Sequence, residues 1–284
     1  MKRSRVGFLF ILPWLIGLIL FTTFPLIAAL FIGFTDWNIA GNANWVGFDN
    51  YIELFGEDAF WNATWVTFRY AIVAIPMTTI TALVVAIVLA KDMRGAGIFR
   101  VIFYMPAVVS GAAVAIIFKW ILDANFGLLN GFLELFGING PDWLGDPSWV
   151  FPSYLILALW GAGSGLFIFL AAIKDIPRSL YESAIIDGAS VFQQATRITM
   201  PLVTPIIFYS LVMGIIGAFR KFTDAFILGG AGDQGEFVMV YLYDLAFADY
   251  QMGKATALAW ILFMIILTLT VILNVSKKYW VHTE

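Results

Sequence analysis

The sequence predicts an all-α membrane protein with six transmembrane helices and both termini in the cytoplasm. Of its 284 residues, 61% are hydrophobic and only 12% are charged, and the mean hydropathy is +0.89. A soluble domain carries about 25% charged residues, so this composition is typical of a membrane protein. The number of helices follows from the apolar segments, and their orientation follows from the basic residues.

A helix needs about 20 predominantly apolar residues to cross about 30 Å of hydrocarbon. The N-terminal apolar segment is about twice as long as the 7–15 residues usual in a signal peptide, so we expect it to be a retained span. We find no Asp or Glu in the central part of any candidate span. The six predicted spans are 7–34, 66–90, 101–122, 151–173, 203–222 and 255–275.

Cytoplasmic segments of membrane proteins are enriched in Lys and Arg. With the N-terminus inside, eleven of the 16 basic residues fall on the inner side, and the other five lie near predicted span ends, where long side chains can reach the membrane surface. The inner residues are Lys2, Arg3, Arg5, Lys91, Arg94, Arg100, Lys174, Arg178, Arg197, Lys277 and Lys278, and the other five are Arg69, Lys119, Arg220, Lys221 and Lys254.

Three outer loops, about 35–65, 123–150 and 223–254, contain many acidic residues and tryptophans. Tryptophan is enriched where a membrane protein crosses the lipid–water boundary, which favours an interfacial belt over a docking face for an external partner. The residues assigned to this belt are Trp37, Trp45, Trp61, Trp65, Trp143 and Trp149.

Several classes of function are excluded by residue content. The chain has no cysteine and a single histidine, His282, so thiolate chemistry, a His-centred zinc site and a Ser-His-Asp triad are impossible. A net charge of −3 without a long basic run argues against nucleic-acid binding. We therefore predict no metal site, no catalytic residue and no enzymatic activity.

The polar segment 174–200 has the sequence signals of two short helices. Ser179 followed by Glu182 fits a capping box, Asp187-Gly188 supplies a break, and Ser190 followed by Gln193 fits a second capping box. Two interpretations of Glu182 remain open: it braces the first helix, or it is an exposed carboxylate on a rigid loop that pairs with a basic group of another protein.

The stretch YESAIIDGA (181–189), followed by ITMP (198–201), resembles the EAA loop of permease subunits of bacterial binding-protein-dependent carbohydrate ABC importers, of the maltose or glycerol-phosphate type. The stretches FTDW (34–37), VGFDNY (46–51) and WLGDP (143–147) are also similar to this family, and Ser183 departs from its usual alanine.

The resemblance implies the type I ABC importer permease fold, with 1–284 as one transmembrane domain and 174–200 as its cytoplasmic coupling loop. It implies a non-catalytic subunit in a bacterial or archaeal cytoplasmic membrane, paired with a second homologous permease, two ATPase subunits and an extracytoplasmic solute-binding protein. ATP and Mg would bind the partner ATPase, and no cofactor would bind this chain. The residues implied to contact the ATPase are Tyr181, Glu182, Ala184, Asp187, Gly188 and Ala189.

The translocation path is expected along the fourth and fifth spans. The small residues after Trp160 fit either close helix packing or space for a sugar contacted by Trp160 or Ser164. Lys221, followed by Asp224, fits either a local ion pair at the membrane surface or a preference for an anionic solute. Together with positions implied by the resemblance, the candidate pathway residues are Trp160, Ala162, Ser164, Gly165, Gly214, Ala218 and Lys221.

The energy source must lie outside the chain if these expectations hold. No Asp or Glu lies near the middle of a span, and the Gly253-Lys254 pair lacks the rest of a phosphate-binding loop. An importer driven by a separate ATPase is therefore favoured over an ion-coupled secondary transporter, and no polar cluster suggests a membrane enzyme.

Overall fold

A computed structural model of the chain describes residues 2–39, 41–90 and 95–282, with the side chains of 2–9 and of Asp233 excluded. Within these ranges the chain is helical, apart from loops and one isolated β-bridge between Thr35 and Trp45. Lys91 and Arg94, which we used to predict the orientation, lie outside the described residues, as do the side chains of Lys2, Arg3 and Arg5.

The chain forms two compact units: Met1–Trp61 with Tyr241–Ile265, and Asn62–Val240 with Ile266–Glu284. The assignment of 1–284 to one domain stays a prediction. In chain order the helical segments are Lys2–Leu18, Ile19–Thr23, Phe24–Ile32, Asp49–Gly56, Asp58–Ala90, Ala96–Val108, Gly111–Ile121, Leu128–Glu134, Pro147–Gly161, Ala162–Gly165, Leu166–Asp175, Arg178–Ile186, Val191–Gln194, Ala195–Thr199, Met200–Leu202, Thr204–Phe219, Thr223–Leu228, Gly232–Gly235, Val238–Tyr243, Asp244–Ala248 and Met252–Trp280.

Each of the six apolar segments is mostly helical, as predicted. In the described residues, four helices are long and apolar enough to cross a membrane, and the count reaches six if two bent pairs are each one span. The unbroken spans are Phe10–Ile32, Asp58–Ala90, Pro147–Asp175 and Met252–Trp280, and the bent pairs are Ala96–Val108 with Gly111–Ile121 and Val191–Leu202 with Thr204–Phe219.

The third predicted span, 101–122, is not one straight helix. Its two halves meet at 101° because Val109 and Ser110 are extended. Pro106 lacks a backbone donor, and Ser110-Gly111 supplies the small residues at which helices commonly break. The predicted fifth span, 203–222, begins at a bend of 66° at Val203, where the segment Val191–Leu202 meets the helix Thr204–Phe219.

One boundary of an outer loop differs from the prediction, and one residue assigned to the interfacial belt, Trp143, is wrongly assigned. The second span begins at Asp58, eight residues earlier than predicted, so Trp61 and Trp65 lie in a helix. Trp143 is only 7% exposed. Its indole nitrogen donates to Asn130 at 2.6 Å, so it packs inside the protein instead of facing a lipid boundary.

In the first unit, polar contacts join loop residues to helices. The buried Asn50 amide donates to the carbonyl oxygens of Gly33 and Thr35, at 2.9 and 2.8 Å. The ammonium group of Lys254 pairs with Glu53 and Glu57, at 2.9 and 2.8 Å. Lys254 therefore has fixed partners, whereas the sequence suggested a side chain extended to the membrane surface.

In the second unit, a buried apolar cluster lies beneath the segment 174–200. Leu166, Phe169, Leu170 and Ile173 pack there with residues of the second span, and Tyr181 and Ile198 pack against its edge. The loop thus stands on a close-packed base, which resists deformation.

Candidate coupling loop and translocation cavity

The first helix of the loop, Arg178–Ile186, begins two residues earlier than it would if Ser179 were its N-cap. Pro177 takes the N-cap position, and no side chain caps the helix. Ser179 and Glu182 are therefore both inside the helix, and the predicted capping box between them is wrong. Glu182 is exposed, and no hydrogen bond or ion pair joins its carboxylate to the described residues. The bracing interpretation of Glu182 is thereby removed.

The break at Asp187-Gly188 is confirmed. Gly188 has a φ of +77°, in the left-handed region that favours glycine. The Ala189 amide donates to the Ala184 carbonyl at 2.8 Å and the Gly188 amide to the Ile185 carbonyl at 3.0 Å. These two bonds form a Schellman motif, which fixes the direction in which the chain leaves the helix.

The second capping box is also confirmed. The Ser190 hydroxyl accepts from the Gln193 amide at 3.3 Å, and the Gln193 side chain accepts from the Ser190 amide at 2.7 Å. Further on, the hydroxyls of Tyr181 and Thr199 are 2.8 Å apart and hydrogen-bonded. This bond ties the first helix of the loop to the segment that follows the second, so the loop is a rigid unit.

The tip of the loop is exposed and partly apolar. Ile186 and Phe192 are 86% and 76% exposed, beside the exposed Glu182, Asp187 and Gly188. The remaining predicted contact residues, Tyr181, Ala184 and Ala189, are half-buried. Large apolar side chains exposed on the same loop as an unpaired carboxylate are typical of a protein–protein contact surface.

Six of the seven candidate pathway residues line one cavity of about 680 Å³ in the second unit. A second cavity, of about 410 Å³, shares Gly214 and Lys221 with it and is also lined by Ala218. The structure thus brings the whole predicted set together. The six residues on the larger cavity are Trp160, Ala162, Ser164, Gly165, Gly214 and Lys221.

The glycines after Trp160 serve close packing at one position and leave open space at another. A Cβ atom at Gly163 would overlap the carbonyl oxygen of Phe103, so the close-packing interpretation is confirmed there. A Cβ atom at Gly161 would meet nothing within 4 Å. The closely packed Gly163 therefore lies two residues from Gly161, which faces open space.

Lys221 is folded into the protein. Its side chain is 9% exposed and pairs with Asp224, so the predicted local ion pair is confirmed, whereas extension to the membrane surface is wrong. The ammonium group lies 4.7 Å from the ring centre of Tyr70, 5.4 Å from that of Tyr154 and 5.8 Å from that of Phe237. Aromatic faces stabilise a cation at these distances.

Sequence reasoning predicted the pairing of Lys221 with Asp224, but it missed the aromatic neighbours of Lys221 and several other lining residues. Tyr70 and Tyr154 come from other spans, and no local motif marks them. Thr78, Tyr209 and Ser210 also line the larger cavity. Only the packing of distant segments brings these residues to the same cavity.

Residues 82–281 match the family model described as "Binding-protein-dependent transport system inner membrane component". The chain belongs to this family. Along its whole length this permease is 38% identical to the probable ABC transporter permease protein YesP of Bacillus subtilis, of which it covers 96%. It is 30% identical to the trehalose/maltose transport system permease protein MalF of Thermococcus litoralis, over 95% of this chain and 93% of that protein.

A solved structure shows the same fold. A chain of a bacterial ABC transporter involved in the import of the acidic polysaccharide alginate matches this permease with a TM-score of 0.88 and 25% identity. The match covers 98% of this chain and 96% of that chain. The predicted type I ABC importer permease fold is therefore confirmed.

Family membership decides between the classes of function that the sequence left open. The chain is a multi-pass inner-membrane permease component of a binding-protein-dependent importer, and not an ion-coupled carrier. Permease subunits of this kind are non-catalytic transmembrane components, as the sequence predicted for this chain.

Proposed function

We propose that this permease forms part of the translocation path of an ATP-driven importer for an oligosaccharide. Its relatives include permeases named for trehalose/maltose and for arabinooligosaccharides, and its structural match belongs to an alginate importer. It acts in a bacterial or archaeal cytoplasmic membrane with a second homologous permease, two ATPase subunits and an extracytoplasmic binding protein. A related alginate importer has been crystallised with its periplasmic protein, which supports the last partner.

The unpaired Glu182 on the rigid loop carries this proposal. A carboxylate on an exposed helix can pair with a basic group of a partner at the cytoplasmic surface. The neighbouring apolar side chains of Ile186 and Phe192 would be covered by the same partner. ATP and Mg bind that partner, so this chain needs no cofactor.

Movement of the partner reaches the spans through the base of the loop. The Schellman motif, the Ser190 capping box and the Tyr181–Thr199 bond keep the loop rigid, so a push on Glu182 moves the loop as one body. The buried cluster beneath the loop passes this displacement to the second and fourth spans. Rigid-body rocking of two permeases would then open the path alternately to each side.

The larger cavity has the lining expected for an uncharged sugar. Trp160 and Tyr209 are 39% and 46% exposed, so their rings can pack against the apolar face of a sugar ring. Lys221 and Asp224 offer a donor and an acceptor to its hydroxyl groups. Because the two charges compensate each other, this geometry favours a neutral oligosaccharide over an anionic one.

Transport by the reconstituted importer tests the proposal. Proteoliposomes containing this permease, the second permease and two ATPase subunits, with binding protein added outside, should accumulate neutral oligosaccharides only when ATP is enclosed with the ATPase. A matched preparation with an ATPase unable to hydrolyse ATP is the control. Uptake by this chain alone under a proton or sodium gradient would contradict the proposal.

A further inference from the structure

A third cavity lies between the coupling loop and the ends of two spans. Its volume is about 400 Å³, within the usual range for small-ligand sites. Ile87 and Ala90 line it from the end of Asp58–Ala90, and Ile173 lines it from the end of Leu166–Asp175. Since both helices are candidate spans, the cavity lies at the level of one membrane surface, which is the cytoplasmic one under the proposed function.

The charged groups of the cavity are two cations. Lys174 and Arg178 line it and are exposed, and no carboxylate is found among its described lining residues. Neither cation has a hydrogen bond or ion pair to the described residues. The cavity therefore presents a positive rim.

The neutral polar groups of the cavity are already paired. The hydroxyls of Tyr181 and Thr199 bind each other at 2.8 Å, and the Gln194 amide donates to the Ala189 carbonyl at 3.1 Å. Polar recognition is thus left to Lys174 and Arg178. Below them the floor is apolar and includes the buried Ile173 and Ile176.

We infer that this cavity binds an anionic phospholipid, with the phosphate between Lys174 and Arg178 and the first part of an acyl chain on the isoleucine floor. Basic pockets between transmembrane helices on the cytoplasmic side bind phosphate headgroups, and the combination of a cationic rim with an apolar floor matches an amphiphile. A bound lipid would touch Tyr181, beside Glu182, so lipid composition would affect coupling between ATP hydrolysis and transport.

Native mass spectrometry of the complete importer tests this site. The complex is extracted from nanodiscs with and without phosphatidylglycerol, and the retained lipid is counted. We expect phosphatidylglycerol to be retained in preference to phosphatidylcholine. Lys174→Gln with Arg178→Gln should weaken retention roughly thirtyfold, as expected for the loss of two cations near an anionic surface. Arg197→Gln, which removes an exposed cation of the same loop outside the cavity, should change nothing.

A second pair of variants separates the cavity from general surface attraction. Val191 lines the cavity and is 57% exposed, so Val191→Trp should fill it and abolish retention while both cations remain. Val275→Trp, the same substitution at a position that is 55% exposed and does not line the cavity, is the matched control. Equal lipid retention in all variants would overturn the inference.

Two further outcomes would also overturn it. Displacement of the lipid by inorganic phosphate at similar concentration would identify a phosphate site without a lipid. Loss of ATPase subunits from the Lys174 and Arg178 variants, with lipid retention unchanged, would assign the cations to the protein partner. ATP-driven uptake without lipid binding would refute this inference alone, whereas absence of uptake in the wild-type importer would refute the proposed function first.

Discussion

Two carboxylates of the second unit occupy opposite environments. Asp224 pairs with Lys221 on the cavity wall, and its side chain is 25% exposed. Glu182 is exposed on the coupling loop, without a bond to the described residues. A charge that is already paired needs no partner from outside, whereas an unpaired charge on a rigid helix is available to one. The difference separates a residue that shapes a cavity from one that transmits force between proteins.

The largest effect on stability is expected at the paired carboxylate. Asp224→Asn leaves the Lys221 ammonium buried without a counter-charge. We expect a loss of about 3 kcal/mol, the low end for a broken buried pair because Asp224 is partly exposed. Thermal unfolding of the purified permease measures this loss, and uptake should shift towards oligosaccharides that contain uronic acids.

A double variant controls for the removal of Asp224 itself. Lys221→Gln with Asp224→Asn has no unpaired charge, so it should recover most of the lost stability and show no preference for anionic sugars. If the single and double variants unfold alike, Lys221 and Asp224 do not act as a pair, and the contrast with Glu182 fails.

A smaller effect is expected at the turn that orients Glu182. Gly188→Val forces a side chain into the left-handed region and should cost about 1–2 kcal/mol. The Cβ atom would meet nothing within 4 Å, so the cost arises from the backbone alone. Gly97→Val is the control, because it is the same substitution at a helical glycine with equally open space. Unfolding temperature and the ratio of ATP hydrolysed to sugar transported should both change only in the Gly188 variant.

Glu57, in the first unit, is paired like Asp224 but is more exposed to solvent. Partial burial raises the pKa of Glu57, whereas hydrogen bonds from Lys254 and Tyr241 and the charge of Lys254 lower it. The lowering effects are larger, so the pKa of Glu57 lies below its ordinary value. A carboxylate with a lowered folded-state pKa stabilises the fold above its unfolded pKa, and this contribution is lost as the pH falls through the folded pKa.

The expected contribution is about 1 kcal/mol or less, because the pair is partly exposed. Glu57→Gln should lower the unfolding temperature at neutral pH, and the difference from the wild type should shrink as the pH falls below about 4.3, the ordinary pKa of a glutamate. A difference that persists at the lower pH would show that the carboxylate charge is not its source.

Local signals in the sequence predicted the helices, the Schellman turn and the Ser190 capping box, because each depends on residues within one or two turns. The Ser179 capping box failed because Pro177 fixes the start of the helix. The break at Val109 and Ser110 was missed because the apolar composition of a segment does not show where its helix is interrupted. The direction of the Lys221 side chain depends on Tyr70, Tyr154 and Phe237, which only the tertiary fold brings together.

The most direct test of the central claim, that Glu182 couples this permease to an ATPase, is the ratio of ATP hydrolysed to sugar transported in the reconstituted importer. Glu182→Lys should abolish transport and binding-protein-stimulated hydrolysis while leaving the unfolding temperature unchanged, because the exposed Glu182 carboxylate has no hydrogen bond or ion pair to the described residues. Asp175→Lys, the same charge change at an exposed position before Pro177, should keep the wild-type ratio. A wild-type ratio in Glu182→Lys would contradict the account.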